Sequence, residues 1–395
     1  MSEILKCGTL LKMPQIIKAS AHCDADGGHW IGVKGLQTDV DAPIIQSAEV
    51  GTFADDVIVL TYNEALDPAS VPNFLDYAPA WAICPASITG VSIVGSTVHL
   101  QLSQDMYAYE TIQLAYTAGA NPVRDLVGNN AANFVAFDVT NNVTPEAQYV
   151  TVWNAFPTKP SAYNSTLFNR WMKRMVDNAH FGKAEFLDLF VTEHQDGACI
   201  NWHSPGTFNP SEVNAPTWGQ YLGYTASAAG KYIRSNFIPS VNGTLIGQDN
   251  ICIIIGIGNN LAEDLFDFGS NDAGTNRIMI TSRTSINTFK VYFTASNSEV
   301  NANSKKHLAL SRGAAANFDM YINLVKVNKA SASGGFANKE LYIGGRNNNG
   351  IADIGNHQIR YAFLFSYLTE AEITGVNGVI PITEELLDGL GTGLY

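Results

Sequence analysis

Apolar and polar residues alternate with a period of two in short segments of this chain, the pattern of strands with one buried face. Residues 111–116 and 134–139 read this way, while 57–62 reads as a strand with an apolar run and 91–94 and 97–102 as a pair of short strands. Gly95-Ser96 separates that pair and predicts a hairpin. Short strands at this spacing, divided by turn residues, predict a β-sandwich over residues 43–142. A stretch with Pro145, Pro157 and Pro160 follows, and residues 143–164 read as a linker. The period then becomes helical. Asn164-Ser165-Thr166 is expected to cap a helix whose Leu167, Phe168, Trp171, Met172, Met175 and Val176 share an apolar face. Beyond Lys183 the strands return at residues 186–191, 251–255, 277–280, 289–293, 307–311 and 320–325, between turns rich in Asn, Gly and Ser. Two antiparallel sheets packed face to face are expected over residues 165–380, with a tail at 381–395. Residues 1–42 read as an attachment arm, apolar from Leu10 to Ile17 and interrupted at Pro14.

Two segments carry resemblances. Leu60-Thr61-Tyr62-Asn63-Glu64-Ala65-Leu66-Asp67-Pro68, Gly90 to Val98, and Tyr116 to Ala132 with its Asp125-Leu126-Val127-Gly128-Asn129 resemble the bacterial immunoglobulin-like repeat called SwmB-like. The likeness spans about 100 residues, in one copy; Phe74 to Pro85, with Trp81 and Cys84, departs from it as an insertion. Further on, Tyr342-Ile343-Gly344-Gly345, then Arg360 to Phe365 and Ser366-Tyr367-Leu368-Thr369-Glu370-Ala371-Glu372-Ile373, resemble the closing strands of concanavalin A-like (laminin G-like) jelly rolls. Asn201 to Phe208, Asn214 to Trp218 and Asn236 to Ser240 resemble the subgroup found in phage tail and fibre proteins. The expected fold is therefore all-β: an immunoglobulin-like β-sandwich followed by a concanavalin A-like jelly-roll sandwich.

Composition narrows the partners. Charged residues make up 15% of the 395, well under the usual quarter, and the net charge is −13. A phosphate backbone would be repelled, which argues against nucleic acid. No stretch reaches the ~20 apolar residues of a membrane helix. Five cysteines, an odd number with no two close in sequence, argue against a disulfide framework and for folding in a reducing cytoplasm. The opening Met-Ser-Glu-Ile-Leu-Lys-Cys has no basic region followed by an apolar core, so no export leader is read there.

Candidate chemistry is sparse. Glycosidases on jelly rolls pair two carboxylates across the scissile bond. The nearest segment here is Glu185 to Glu193, but Leu187 holds the middle position and Glu185 and Asp188 fall on opposite faces of a strand. Asp264 and Asp267 are the pair that could meet at a cleft edge. Ile251 to Leu261 begins like a dinucleotide fingerprint without its third glycine, and Asp24-Ala25-Asp26 begins like a calcium loop that would end on Gly35. Cys7, His22, Cys23 and His29 are of zinc-binding type without zinc-binding spacing. No catalytic residue, metal or cofactor is assigned. The loop Arg346-Asn347-Asn348-Asn349-Gly350 with His357 is the candidate ligand-binding site, with a polar turn as the competing reading. Trp202 and Trp218 read as core.

These resemblances imply a structural surface component of a tailed-phage virion, a head-decorating or tail/fibre protein. It would assemble in the host cytoplasm, attach to other virion proteins through its arm, form homo-oligomers and display the jelly roll to a host glycan or receptor. A non-viral adhesin or lectin module and a polysaccharide depolymerase are the alternative readings.

Overall fold

The computed structural model describes residues 39–83, 85–227, 230–272, 276–293 and 295–394. Nearly all of the expected arm, with Cys7, His22, Cys23, Asp24, Asp26 and His29, lies outside the described residues, as does Cys84. The chain is all-β in its architecture and divides into two compact units between Thr144 and Pro145.

The first unit is an immunoglobulin-like β-sandwich. One sheet runs Ile88–Val94, Thr97–Leu102, Val57–Tyr62, Ile45–Val50, with all neighbours antiparallel. The other contains Tyr77–Trp81, Ile112–Tyr116 and Phe134–Asn141. The last strand serves both: it pairs with Ile112–Tyr116 first and then, at Thr140 and Asn141, runs parallel to Ile45–Val50. Alternation sends Ile58, Leu60, Val98 and Leu100 from one sheet and Tyr77, Leu114 and Tyr116 from the other into one core. The Gly95-Ser96 hairpin is present, with Gly95 at φ 63°. The stretch set apart in the sequence as an insertion at 74–85 is instead part of the sandwich. Phe74–Asp76 forms a single 3-10 turn capped by Asn73, and Tyr77–Trp81 pairs with Ile112–Tyr116.

In the second unit, among the described residues, an eight-stranded and a nine-stranded sheet face each other. Ile253, Ile255, Leu308, Leu310, Ala362 and Leu364 from the first sheet meet Phe268, Ile278, Ile280, Phe289, Val291 and Ile343 from the second. The first sheet is covered on its other face too, so its strands Ala184–Leu189 and Ile251–Ile257 are buried at every position. This is why residues 251–257 read as an unbroken apolar run rather than an alternation. The cover is helical. Trp171, on the helix Ala162–Asp177, stacks beside Phe363, and its Nε1 donates to Thr383 of the helix Val379–Gly389.

Four sequence expectations change here. The linker 143–164 contains a helix, Ala147–Ala155, which buries Tyr149 and Val152. Its prolines mark the helix ends rather than a free stretch. Tyr149, Phe156, Phe168 and Trp171 surround the buried Trp202. The next helix starts earlier than expected, because Ser161 rather than Asn164 is its cap and accepts from the Asn164 N–H. The expected tail 381–395 holds most of a buried helix, Val379–Gly389. The expected strand 320–325 is also divided, by a turn at Asn323 (φ 55°), into Asn317–Ile322 and Val325–Ala330. Among the described residues no helix is long and apolar enough to cross a membrane.

The segment Ser366 to Ile373 forms the helix start read from the sequence. The Thr369 hydroxyl accepts from the Glu372 N–H at 3.3 Å, and the Glu372 carboxylate accepts from the Thr369 N–H at 2.9 Å. The reciprocal pair satisfies two helix-end donors. Thr369→Ala should lower unfolding free energy by about 1 kcal/mol in urea titration; an unchanged midpoint would deny the cap any role.

Candidate functional site

The outer face of the nine-stranded sheet carries rings and cations that alternation turns away from the core. In Thr288–Tyr292, Phe289 and Val291 point into the core, so Thr288, Lys290 and Tyr292 point out. In Arg277–Thr281, Ile278 and Ile280 point in and Arg277, Met279 and Thr281 point out. Register sets Met279 opposite Tyr292 and Thr281 opposite Lys290. The Tyr292 ring lies 5.8 Å from the Phe266 ring, with the Arg277 guanidinium 5.3 Å and the Lys290 ammonium 5.8 Å from its centroid. The Arg346 guanidinium sits 4.0 Å over Phe266 and pairs with Asp353 at 2.9 Å. Two rings and three cations thus form one continuous patch on a protein of net charge −13. Such a patch offers ring faces for apolar surfaces and planar cations for carboxylate or sulfate oxygens.

The hairpin Gly345–Asn348 and Ile351–Ile354 positions Arg346. Its turn uses left-handed Asn349 (φ 52°) and Gly350 (φ 93°), the Asn-Gly signature of a tight hairpin. The expected ligand loop is therefore a strand, a turn and a return strand, and its residues separate. Arg346 joins the patch. Asn347 is buried and its side chain accepts from the Gly350 N–H at 2.8 Å. Asn348 accepts from Asn271 at 2.9 Å. Asn349 is an exposed turn residue. His357 is fully buried elsewhere. Turn geometry accounts for the asparagines, so the expected constellation of Arg346, Asn347, Asn348, Asn349 and His357 does not form one site.

His357 belongs to a buried cluster. Its Nδ1 lies 2.7 Å from Asp267 Oδ1 and 3.0 Å from Glu263 Oε1. Its Nε2 lies 3.1 Å from the Leu261 carbonyl and 3.4 Å from Ser282 Oγ. Asp267 Oδ2 accepts from the Ser282 N–H at 2.6 Å, and Glu263 accepts from the Asn356 N–H and side-chain amide. Burial alone would lower the His357 pKa; the carboxylates of Asp267 and Glu263 reverse this and push it up to about 10. Burial alone would raise that of Glu263, but the His357 imidazole 3.0 Å away and hydrogen bonds from Asn356 hold it below the usual carboxylate range. Asp264, by contrast, is exposed and bonded to Ser285. The pair Asp264 and Asp267 therefore does not meet at a cleft edge: one faces solvent and the other faces His357.

The carboxylates of the 185–193 segment also part. Glu185 Oε1 accepts from the backbone N–H groups of Thr244, Leu245 and Ile246. Asp188 is fully buried with neither oxygen hydrogen-bonded. Glu193 accepts from the Ser161 N–H and the Asn164 amide. In the first unit Asp39, Glu64 and Asp125 come together, but Asp125 spends both oxygens on its own loop, accepting from the N–H groups of Val127, Gly128 and Asn129 and from the Asn129 amide. Cys199 and Cys252 are free thiols, and burial pushes the Cys199 thiol up to about 11. Trp202 is core, as read from sequence; Trp218 is half-buried and donates to the Phe190 carbonyl.

No family model matches the chain. No curated protein matches it either. Solved structures similar to parts of it include domain 4 of an extracellular arabinanase from Geobacillus stearothermophilus in complex with arabinotriose. That match has 13% identity and TM-score 0.32, over 49% of this chain and 99% of that one. A mutant Trypanosoma rangeli sialidase displaying trans-sialidase activity matches at 8% identity and TM-score 0.38, over 87% of this chain and 62% of the other. The CBM40 of a Ruminococcus gnavus sialidase matches at 12% identity and TM-score 0.26, over 33% and 84%. These TM-scores mark partial likenesses.

The residues that reading the sequence missed are Phe266, Arg277, Lys290 and Tyr292, and the acids of the His357 cluster as a set. The first group had a signal. Thr-Phe-Lys-Val-Tyr alternates, so Lys290 and Tyr292 had to share an outer face. The second had none, since Asp267 and His357 are far apart in sequence.

Proposed function

We propose that this chain is a non-catalytic saccharide-binding display protein whose ligand is an anionic glycan held on the outer face of its second unit. The observation that carries this reading is the patch of Tyr292 and Phe266 flanked by Arg277, Lys290 and Arg346. The half-buried Tyr292 ring can stack on the C–H face of a sugar, and the Lys290 ammonium beside it can meet a carboxylate or sulfate, while Arg346, whose Nε and Nη2 edge is paired with Asp353 over the buried Phe266, adds positive charge. A single half-buried ring with cations beside it suits weak single-site binding near −4 to −5 kcal/mol, or about millimolar. Non-catalysis is supported by the separation of these acids: Glu185 and Glu193 are each held by their own donors, and Asp188 is buried without a partner.

The resemblance read in the sequence extends this proposal to display on a tailed-phage particle, with other virion proteins and further copies of the chain as partners. Absence of the chain from purified particles would remove that placement. The binding itself is tested by glycan array followed by titration. Acidic glycans should bind above neutral ones, and Tyr292→Ala and Arg346→Ala should each weaken binding about tenfold, or ~1.4 kcal/mol. Equal binding of neutral and acidic glycans, or undiminished binding by the double variant, would overturn the reading.

A further inference from the structure

We infer that Glu263, Asp267 and His357 form a binding site for a divalent transition-metal ion of the zinc class. One ligand atom from each residue lies within 4.8 Å of the others. Asp267 and His357 are buried, and Glu263 is partly so.

The histidine tautomer is the first argument. The Leu261 carbonyl can only accept, so the Nε2 facing it at 3.1 Å carries the hydrogen. Nδ1 is then the position turned toward both carboxylates. Its occupant must be a cation, either a proton or a metal ion. The hydrogen-bond geometry is the second. His357 Nδ1 and Asp267 Oδ1 approach to 2.7 Å, yet neither atom makes an aligned hydrogen bond. These are two nine-tenths-buried polar groups converging without the alignment that a shared proton would favour. Charge is the third. Two carboxylates and a neutral imidazole sum to −2, which a divalent ion cancels and a single proton does not. A net charge left in a buried site is costly.

The surroundings fit a ligand set held from outside. Asp267 Oδ2 is held by the Ser282 N–H, Glu263 by Asn356 and Nε2 by the Leu261 carbonyl, so each ligand has an outer partner and one atom facing inward. Gly355 leaves room: a Cβ there would lie 3.0 Å from Glu263 Oε1 and 3.5 Å from Asp267 Oδ1. One imidazole and two carboxylates suit zinc better than the all-oxygen shells of calcium or magnesium. At zinc–ligand distances of ~2.0–2.2 Å tetrahedral ligand atoms stand about 3.4 Å apart, so the contacts of 2.7 and 3.0 Å open by about 0.7 and about 0.4 Å. The site stands whatever ligand the outer face of the sheet takes.

The test uses the full chain, stripped with chelator and desalted. Zinc chloride should then load one ion per chain by mass spectrometry of metals after dialysis and raise the melting temperature. Cobalt(II) should give the visible spectrum of a low-coordinate site with nitrogen and oxygen ligands. Calcium should do neither. Glu263→Gln, at the partly exposed ligand, and His357→Ala should weaken zinc binding by at least about 100-fold, the upper end for losing an outer-shell partner. If His357→Ala fails to fold, Glu263→Gln carries the test alone. Less than stoichiometric zinc in folded protein would overturn the site. So would retention of zinc by the variants, which would place the ion elsewhere, for example on Cys7, His22, Cys23 and His29.

Discussion

Deleting residues 379–395 should abolish the cooperative folding of the second unit. The helix Val379–Gly389 reads in the sequence as the start of a tail, yet Val379, Ile380, Ile382, Leu386 and Leu387 are all buried. At about 1.5–3 kcal/mol for each fully buried aliphatic side chain, their loss is on the order of 10 kcal/mol, close to the whole stability of a typical domain. Polar contacts add to it. Glu384 Oε2 lies 2.5 Å from His307 Nε2 inside the sheet, and its other oxygen accepts from the Leu394 N–H. Glu385 pairs with Arg170 and Arg174 on the helix Ala162–Asp177. The Arg360 guanidinium, itself buried, donates to the Thr392 carbonyl. Without the segment, Trp171 and Phe363 meet water, and His307 and Arg360 lose their carboxylate and carbonyl. The measurement is near-ultraviolet circular dichroism during a thermal melt. A truncated chain that melts cooperatively within a few degrees of the intact one would show that this helix is an ornament.

How far the fold could be read from sequence depended on how many faces each element buries. Strands 97–102 and 288–292 bury one face, so their residues alternate. The hairpin at Gly95-Ser96 and the Thr369 cap announced themselves by residue type, because only certain residues fit those positions. The helix Val379–Gly389 was overlooked for a physical reason. It carries Pro381 in its first turn, where a missing N–H does no harm, and proline there reads as a break. The helix Ala147–Ala155 was masked in the same way by Pro145 before it and Pro157 after it. The sites followed a different logic. Arg346 was found because it stands in a polar loop motif, whereas its partners Phe266 and Tyr292 come from other strands and meet it only through sheet register. His357 was selected as a surface ligand, but long-range pairing with Asp267 and Glu263 draws it into the interior.

Asp188→Asn should produce the largest pH-dependent change in stability. Asp188 lies on Ala184–Leu189 on the side of Phe186, which faces the core between the sheets. It is fully buried, neither oxygen has a hydrogen-bond partner, and burial raises its pKa well above the usual carboxylate value. The folded protein therefore keeps a proton that the unfolded chain releases above about pH 3.9. By linkage, stability is greatest below that pH and falls as pH rises, by about 1.4 kcal/mol per unit, until the raised folded value is passed. Asparagine has the same shape and no proton to lose. The difference between variant and parent in unfolding free energy should thus grow in the variant's favour by about 1.4 kcal/mol per pH unit above pH 4. Every other titrating group is shared by the two proteins and largely cancels from the difference. The unpartnered asparagine amide adds an offset that does not change with pH, so the slope, not the intercept, is diagnostic. Urea titrations at pH 5, 6, 7 and 8 measure it. Parallel stability curves for the two proteins would mean that Asp188 is ionised in the fold, with a counter-charge or water supplying what burial takes away.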